Sequence, residues 1–591
     1  MPQHAITGNA LTSGTAQGPV LFGDTPLSFW GGVQPTSGEI IDRRHPLSGK
    51  VITGQILALP SGRGSCTGSS VMMEVILNGN GPAALILEQP DEILALGAIV
   101  AELVFGKGLP VVVVGSAGFA AVRAAAWAGV SADGSITLSD KPLPLPTASS
   151  TPCTANLPAD PEMRLSAQDR EILAGAQGKA RQVALQVVLR MARLQGATEL
   201  IDVVQAHIDG CIYTGSASLR FAEQLRDWGG TVKVPTTLNA ISVDQRRWRA
   251  LGIDAAFGEP ASALAQAFVD MGAQASFTCA PYLLESAPKA GEQIVWAESN
   301  AVVYANSVLG AYTAKYADYL DICVALIGRA PKAGCHLPGN RHADLVLRVP
   351  APAGADDAYY PLLGYHLGLL CGSRIPAVCG LEAAHPRLDD LKAFGAAFAT
   401  SSAAPMFHIV GVTPEAPTLQ AALGDKRPDS DSTVTLQDLQ ASWRELDSAP
   451  QSRCDLVALG NPHFSVTECE ALAQLLRGRM RHPATATVLT LGRAVHEKAR
   501  ASGAMAVLEA FGVTVITDTC WCMLEEPVVP VEARVIMTNS GKYAHYAPGL
   551  TGRKVHFGSL ADCAEVACTG HAKGTLPAWL QTHAAPAASI P

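Results

Sequence analysis

Asp455-Leu456-Val457-Ala458-Leu459 runs directly into Gly460-Asn461-Pro462-His463. An apolar run that ends in polar, turn-forming residues reads as a buried strand followed by a loop. Ser465 and Glu468 then stand three residues apart, the offset of a capping box, and mark the start of a helix. The same order of events recurs. Thr487-Val488-Leu489-Thr490-Leu491 ends at Gly492-Arg493, Val513-Thr514-Val515-Ile516 ends at Asp518-Thr519-Cys520, and Val535-Ile536-Met537 ends at Thr538-Asn539-Ser540-Gly541-Lys542. Four strand–loop–helix units in a row predict a mainly parallel sheet with helices on both faces. Ligands of such sheets bind outside the carboxyl ends of the strands. That rule sends Asn461, Cys520, Asn539 and Lys542 toward one crevice.

Upstream the pattern continues more loosely. Ser166 with Asp169 reads as another capping box, and Ile172, Leu173, Val183, Val187 and Leu194 follow at helical spacing. Leu200-Ile201-Asp202-Val203-Val204 reads as a strand running into His207-Ile208-Asp209-Gly210-Cys211. Val232-Lys233-Val234 reads as one running into Pro235-Thr236-Thr237-Leu238-Asn239. Residues 165–591 are therefore expected to form one large α/β domain. Residues 139–164, rich in Pro, Ser and Thr, are expected to be a stiff, extended linker. Residues 1–138 alternate short strands with Gly and Pro turns, as in Gly18-Pro19-Val20-Leu21-Phe22, Ile40-Ile41-Asp42 and Ala84-Leu85-Ile86-Leu87.

Within that small domain Ile56-Leu57-Ala58-Leu59 reads as a strand and residues 71–77 as a helix. Pro60-Ser61-Gly62-Arg63-Gly64-Ser65-Cys66-Thr67-Gly68-Ser69 joins them. Glycines let such a loop turn tightly and approach a ligand, and helix-start N–H groups attract anions. Ser65 would then sit where a carboxylate or oxyanion is held. The same residues also suit a plain turn whose serines cap the helix.

Composition narrows the function. The 591 residues are 48% hydrophobic and 16% charged, as in a globular chain. The formal net charge of −9 and the lack of a basic stripe argue against a nucleic-acid partner. Apolar runs such as Val111-Val112-Val113-Val114 are too short to span a bilayer. Met1-Pro2-Gln3-His4 does not begin a charged region followed by an apolar core, so no signal peptide is expected. The 14 cysteines are then expected as reduced thiols in a cytoplasmic protein. No Cys-x-x-Cys pair is present; Cys520-Trp521-Cys522 comes nearest.

Cys279, in Phe277-Thr278-Cys279-Ala280-Pro281-Tyr282, and Cys520 could be thiolate ligands of one iron centre or buried core thiols. Glu298-Ser299-Asn300 and Asn306-Ser307 suit a hydroxylated or carboxylated ligand, and equally turns and caps. Lys542 could pair with a carboxylate. His336, His366 and His463 rank lower, because a lone histidine is more often structural.

These stretches resemble the aconitase X family, a divergent branch of the aconitase superfamily. The resemblance lies in Phe29-Trp30-Gly31-Gly32-Val33, Gly38-Glu39-Ile40-Ile41-Asp42 and the 60–69 loop of the small domain. In the large domain it lies in 234–239, 278–282, 298–301, 305–307 and 518–520. It implies a small swivelling β/α domain fused to a large, multi-lobed aconitase-like α/β domain with mainly parallel sheets. The two-subunit branch dehydrates mevalonate 5-phosphate, and the single-chain branch dehydrates cis-3-hydroxy-L-proline. The fused chain points to the second, acting as a monomer on that small molecule. Gly460-Asn461-Pro462-His463 stands where the two-subunit branch has Gly-Cys-Pro-His, which points to a smaller [2Fe–2S] centre. By resemblance Cys279 and Cys520 are ligands, with Asn461 or Cys522 completing the site. The same resemblance implies Ser65 as the proton acceptor and a substrate held among Arg63, Gly210, Cys211, Ile212, Asn239, Ser299, Asn300 and Lys542. A dehydratase for another small hydroxy acid and a non-catalytic iron–sulfur sensor are the competing expectations.

Overall fold

The computed structural model describes residues 4–144 and 163–581. The chain forms two compact units. The first takes Met1–Pro281, Pro288–Val302 and Ala311–Asn340, and the second takes Tyr282–Ala287, Val303–Gly310 and Arg341–Pro591.

The first unit opens with an eight-stranded mixed sheet. In spatial order its strands are His4–Thr7, Ser135–Ser139, Trp127–Val130, Ala16–Phe22, Ile56–Leu59, Ala84–Leu87, Val111–Val113 and Asn9–Thr12. The four from Ala16–Phe22 to Val111–Val113 are parallel to their neighbours, and the outer pairings are antiparallel. Every residue of Ile56–Leu59 and Ala84–Leu87 is buried, as expected of central parallel strands covered on both faces. Helices Gly68–Leu77 and Glu92–Phe105 leave this sheet and share one core with the lobe that follows. Met73, Leu96 and Val100 pack in the same cluster as Leu185, Val188, Ile208 and Phe221. The Arg190–Glu102 ion pair (2.7 Å) joins the same two parts.

The second lobe of this unit holds a three-stranded parallel sheet, Thr236–Leu238, Ala206–Ile208 and Val295–Trp296, with Ala206–Ile208 in the middle. Four expectations are corrected here. Residues 200–204 are not one strand leading to Asp209. Leu200–Asp202 pairs antiparallel with Arg329–Pro331, and a separate strand, Ala206–Ile208, carries Asp209 at its end. Residues 232–234 are not a strand, because the N–H groups of Val232 and Lys233 bond to Met271 and Ala325 instead. Pro235 has no N–H to give, so the ladder starts beyond it at Thr236. Ile40-Ile41-Asp42 makes only isolated bridges, Val33 with Ile40 and, beside it, Glu39 with Val51. The Ser166–Asp169 capping box is present, but its helix ends at Leu173 and a new one runs Lys179–Leu194.

The second unit carries two all-parallel sheets. One orders His408–Ile409, Pro376–Cys379, Leu345–Arg348 and Ser430–Thr433. The other orders Thr514–Thr517, Ala486–Leu491, Leu456–Leu459, Val535–Thr538 and Lys554–Phe557. The four C-terminal strands expected from sequence are all here, with a fifth, Lys554–Phe557, beside them. The chain starts at the centre, winds outward one way, then returns and winds the other way. The strand order therefore reverses between Leu456–Leu459 and Val535–Thr538, the switch point where α/β sheets open a crevice. The Ser465–Glu468 capping box starts helix Val466–Leu476 as expected. Of the expected linker, residues 145–162 lie outside the described residues.

Candidate active site

The Ser65 loop leaves the carboxyl end of Ile56–Leu59 and is fixed by its own side chains. Gly62 N–H donates to Asp91 Oδ2 (2.8 Å), and a Cβ on Gly62 would meet that oxygen at 2.7 Å. Gly64 has φ +83°, a conformation that glycine adopts without strain. Arg63 donates from Nη2 to Asp42 (2.8 Å) and from Nε to the Pro26 carbonyl (3.0 Å), which ties the loop to the small domain. Helix Gly68–Leu77 has Thr67 at its N-cap with no side-chain capping bond, so the serines are not caps. Ser69 donates to the carbonyls of Cys66 (3.0 Å) and Asp318 (3.2 Å), and Ser70 donates to Asp318 Oδ2 (2.7 Å). Ser65, only 5% exposed, accepts from Thr67 N–H (3.3 Å) and donates to Thr67 Oγ1 (3.1 Å).

The three-stranded parallel sheet builds the surface below this loop. Asp209, Asn239 and Glu298 follow the carboxyl ends of its three strands. The Ile208–Leu238 register sets Asp209 beside Asn239. Asn239 Nδ2 donates to Asp209 Oδ1 and to Glu298 Oε2 (3.2 Å), while its Oδ1 accepts from Ala240 N–H (2.7 Å). Glu298 Oε1 accepts from Asn300 Nδ2 (2.6 Å), which also donates to the Cys279 carbonyl (3.1 Å). Thr67 Oγ1 donates to Asp209 Oδ2 (3.5 Å). One hydrogen-bonded chain thus runs from Ser65 through Thr67, Asp209, Asn239, Glu298 and Asn300 to the backbone of Cys279. Gly210, Cys211, Ile212 and Ser299 are all buried at the same strand ends, with Cys211 Sγ on the carbonyls of Ile208 and Asn239 (3.4 Å each).

Two further carboxyls stand behind Asp209. Asp321 accepts from the N–H groups of Asp209 (2.7 Å), Gly210 (3.4 Å) and Ile322 (2.6 Å). Burial raises Asp321 to about 6; burial, with Asp321 as a neighbouring charge, raises Asp318 to about 8. Burial also holds His207 down at about 3, so its ring is neutral, with Nδ1 on Thr237 Oγ1 (2.8 Å).

In the second unit the switch point gathers the other candidates. Asn461 Nδ2 donates to Cys522 Sγ (3.3 Å), and the Asn461 carbonyl accepts from the Ser540 hydroxyl. His463 Nε2 donates to the Thr519 carbonyl (2.9 Å), and Trp521 Nε1 to the Leu459 carbonyl (2.6 Å). Arg493 grips Asp518 through two bonds (2.5 and 2.8 Å) and holds it at φ +67°. These contacts join the loops after three neighbouring strands to the one after Val535–Thr538. Cys520, Cys522 and Lys542 are each under 10% exposed there. Burial, then the Cys522 thiol, raises the Tyr543 phenol. His336 lies between Tyr316 and Gln293, and His366 contacts Ser442 (2.9 Å).

Thr67, Asp318 and Asp321 are not expected from sequence as site residues, and Glu298 is expected only as part of the Glu298-Ser299-Asn300 cluster. Thr67 stands inside the 60–69 loop, and a polar residue just after a parallel strand is the available signal for Glu298. Asp318 and Asp321 had no local signal.

Four aconitase X models match the chain: the swivel domain at 5–138, the first domain at 162–339, the second at 343–444 and the third at 454–569. Cis-3-hydroxy-L-proline dehydratase of Pseudomonas aeruginosa is 58% identical over 98% of this chain and 99% of that protein. The protein of the same name from Hypocrea jecorina is 53% identical over 97% of each. The crystal structure of Thermococcus kodakaraensis aconitase X in its holo-form aligns with a TM-score of 0.62 at 31% identity. It covers 68% of this chain and 100% of that one. An aconitase-like family suggests an iron–sulfur cluster. Among the described residues no group of three or more His, Cys, Asp or Glu side chains is arranged to hold a metal ion. Nor is any helix among them long and apolar enough to cross a membrane. With all four of its domains and near full-length relatives in agreement, the chain belongs to the aconitase X family.

Proposed function

We propose that the chain is a hydro-lyase that converts cis-3-hydroxy-L-proline to Δ1-pyrroline-2-carboxylate. The observation that carries this reading is the 58% identity, over nearly the whole of both chains, to a protein named for that activity. The reaction is a β-elimination. The C2 proton passes to Ser65 Oγ, its electron pair becomes the C2–C3 π bond, and the C3–oxygen bond breaks. The proton and hydroxide leave as water, and the resulting enamine tautomerises to the cyclic imine.

Ser65 is buried at the end of a loop fixed by Arg63, which favours a defined position for its oxygen. A serine hydroxyl is a weak base unless its own proton has somewhere to go. Thr67 Oγ1, 3.1 Å away, is in reach of that proton. Asn239 and Asn300 carry amide donors near the strand ends, and Gly210, Cys211, Ile212 and Ser299 complete the substrate-binding set on this unit. Lys542 is assigned to the substrate carboxylate.

An iron centre, [2Fe–2S] in this proposal, supplies Lewis acidity to a departing hydroxyl when bound. Buried thiols suit it. Cys520 and Cys522, with Asn461 beside Cys522, are the candidate ligands of the second unit, and the family resemblance adds Cys279. We assign residues 1–138 to the swivelling domain, 139–164 to the linker and 165–591 to the large domain. The protein is taken as a cytoplasmic monomer acting in hydroxyproline degradation. The 13 described cysteines, which form no disulfide with one another, suit a reducing compartment.

The test is an anaerobic assay with cis-3-hydroxy-L-proline, trapping the cyclic imine with o-aminobenzaldehyde. Ser65→Ala is expected to lower kcat by about 10³-fold, within the range for loss of a general base. Full turnover by that variant removes Ser65 from the chemistry. Turnover of mevalonate 5-phosphate instead would overturn the substrate.

A further inference from the structure

Helix Gly68–Leu77, which begins just after Ser65, carries two polar side chains four residues apart and therefore on one face. Ser70 donates to Asp318 Oδ2 (2.7 Å). One turn on, Glu74 is only 2% exposed, and both its oxygens accept hydrogen bonds. Oε1 accepts from Asn78 Nδ2 (2.9 Å) and Oε2 from the N–H of Ala217 (2.8 Å). Ala217 is the second residue of helix Ser216–Asp227, whose N-cap, Gly215, has no side chain to cap with. The first N–H groups of a helix lack partners within it and attract negative charge. Glu74, in the swivel domain, brings a carboxylate to this helix start in the first domain. A Cβ on Gly215 would meet the Glu74 carboxyl carbon at 2.2 Å, so glycine is what lets the carboxylate come so close.

Between strand Ala206–Ile208 and that helix lies the 209–215 loop, which contains Gly210, Cys211 and Ile212. Asp321 holds its start, accepting from the N–H groups of Asp209 (2.7 Å) and Gly210 (3.4 Å). Ser242 Oγ accepts from the Tyr213 N–H (2.8 Å) in its middle. These partners belong to the loop's own lobe, whereas Glu74 ties the end of the loop to the domain that bears Ser65. Asp321 stands three residues after Asp318, the acceptor of Ser70. The Asp318 N–H in turn donates to the carbonyl of Cys66 (3.3 Å), the residue after Ser65. The contacts close a ring that runs from Cys66 along helix Gly68–Leu77 to Glu74, back along 217–209 to Asp321, and through Asp318 to Cys66 again.

We infer that Glu74 is a positioning residue that latches the Gly210–Ile212 loop to the helix behind Ser65, so that the two are held as one piece. The inference rests on the reading of Ser65 as the base and of this loop as part of the substrate site. A base and a substrate fixed at one separation react faster than a pair that must find each other. Glu74 acts through Ala217 on one side and through its own helix on the other. Asn78, one turn further along that helix, orients the carboxylate from behind.

The test uses the full chain with Glu74→Met, Glu74→Gln and Gly215→Ala. Hydrogen–deuterium exchange, corrected for intrinsic rates, is read on peptides covering 63–70 and 209–218. Glu74→Met should speed exchange about tenfold in both, although neither contains residue 74; loss of a plain helix cap would release 216–218 alone. Its kcat for cis-3-hydroxy-L-proline should fall about tenfold, less than the about 10²-fold cost of a full misplacement. Glu74→Gln, whose Oε1 still accepts from Ala217, should restore kcat to within about threefold of wild type. Unchanged exchange at 63–70 in Glu74→Met overturns the latch; should that variant not fold, unchanged exchange there in Gly215→Ala does so. Wild-type kcat in Glu74→Met, or no rescue by Glu74→Gln, overturns the positioning role. Coupled exchange in Glu74→Met together with full turnover by Ser65→Ala sustains the latch and refutes Ser65 as the base.

Discussion

Asn239→Asp changes one amide nitrogen into an oxygen at the centre of the carboxylate cluster. Asn239 Nδ2 donates to Asp209 Oδ1 and Glu298 Oε2, and its Oδ1 accepts from Ala240 N–H. The substitution keeps the last bond and the shape. It removes two hydrogen bonds to charged groups, each worth about 1.5–3 kcal/mol. It also sets a third carboxylate against two others, a repulsion of about 4 kcal/mol per pair at 4 Å and an effective dielectric of 20. The new carboxyl escapes much of that cost by keeping a proton, so its folded pKa rises above the unfolded value of about 3.9. The sign follows. The native state then binds more protons than the unfolded state, and stability is lost as pH rises. While the pH lies between the unfolded and the folded pKa, the extra destabilisation grows by about 1.4 kcal/mol per pH unit. A multi-lobed chain of 591 residues does not unfold in one step, so local opening is the quantity to measure. Hydrogen–deuterium exchange of peptides covering 204–212 and 236–242, corrected for intrinsic rates, reads it directly. If the variant-minus-wild-type opening energy is the same at pH 5 and pH 8, the assigned carboxylate environment is wrong.

Three other outcomes are expected. Gly64→Ala places a Cβ at φ +83°, costs about 1–2 kcal/mol, and should lower kcat more than it raises KM, since it moves the Ser65 loop and spares the sheet edge; a variant with wild-type kcat would speak against a fixed Ser65 position. Asp318, with a folded pKa raised to about 8, makes wild-type stability fall as pH rises from about 4 to about 8. Asp318→Asn should flatten that fall in thermal scans, and parallel pH curves would contradict the raised value. Cys520→Ser and Cys522→Ser should each reduce iron bound per chain after anaerobic reconstitution, measured by metal analysis; full iron content in both would remove this loop from the ligand set.

Much of the C-terminal sheet was legible because its cues are local. Leu456–Leu459, Ala486–Leu491, Thr514–Thr517 and Val535–Thr538 are each apolar runs that end in a polar loop, and Ser465–Glu468 is a capping box whose partners are three residues apart. The first unit was harder to read. Residues 200–208 form one apolar-rich stretch that belongs to two sheets, and nothing in its periodicity marks the break between Asp202 and Ala206. At 232–238 a valine-rich run precedes the ladder, and the start was set by Pro235, which lacks the donor that pairing needs. The Ser65 loop is visible as a glycine-rich turn, but its sequence suits helix-capping serines equally well, and only the tertiary structure places Ser69 and Ser70 on Asp318.

By itself the sequence determined the alternation of strands and helices, the polar residues that end each parallel strand, and the family motifs in which Ser65, Cys279, Asn461 and Cys520 stand. Those features depend on side-chain period and on turn chemistry, which act over a few residues. The tertiary structure decided which strand ends lie side by side. The Ile208–Leu238 register sets Asp209 against Asn239, and the reversal of strand order sets Asn461 against Ser540. It also brought Asp321, more than a hundred residues along the chain, onto the backbone of Asp209, and Asp318 onto Ser70. Pairing between distant segments is chosen by the burial of whole faces and the satisfaction of buried polar groups, and neither leaves a mark on any short stretch of sequence.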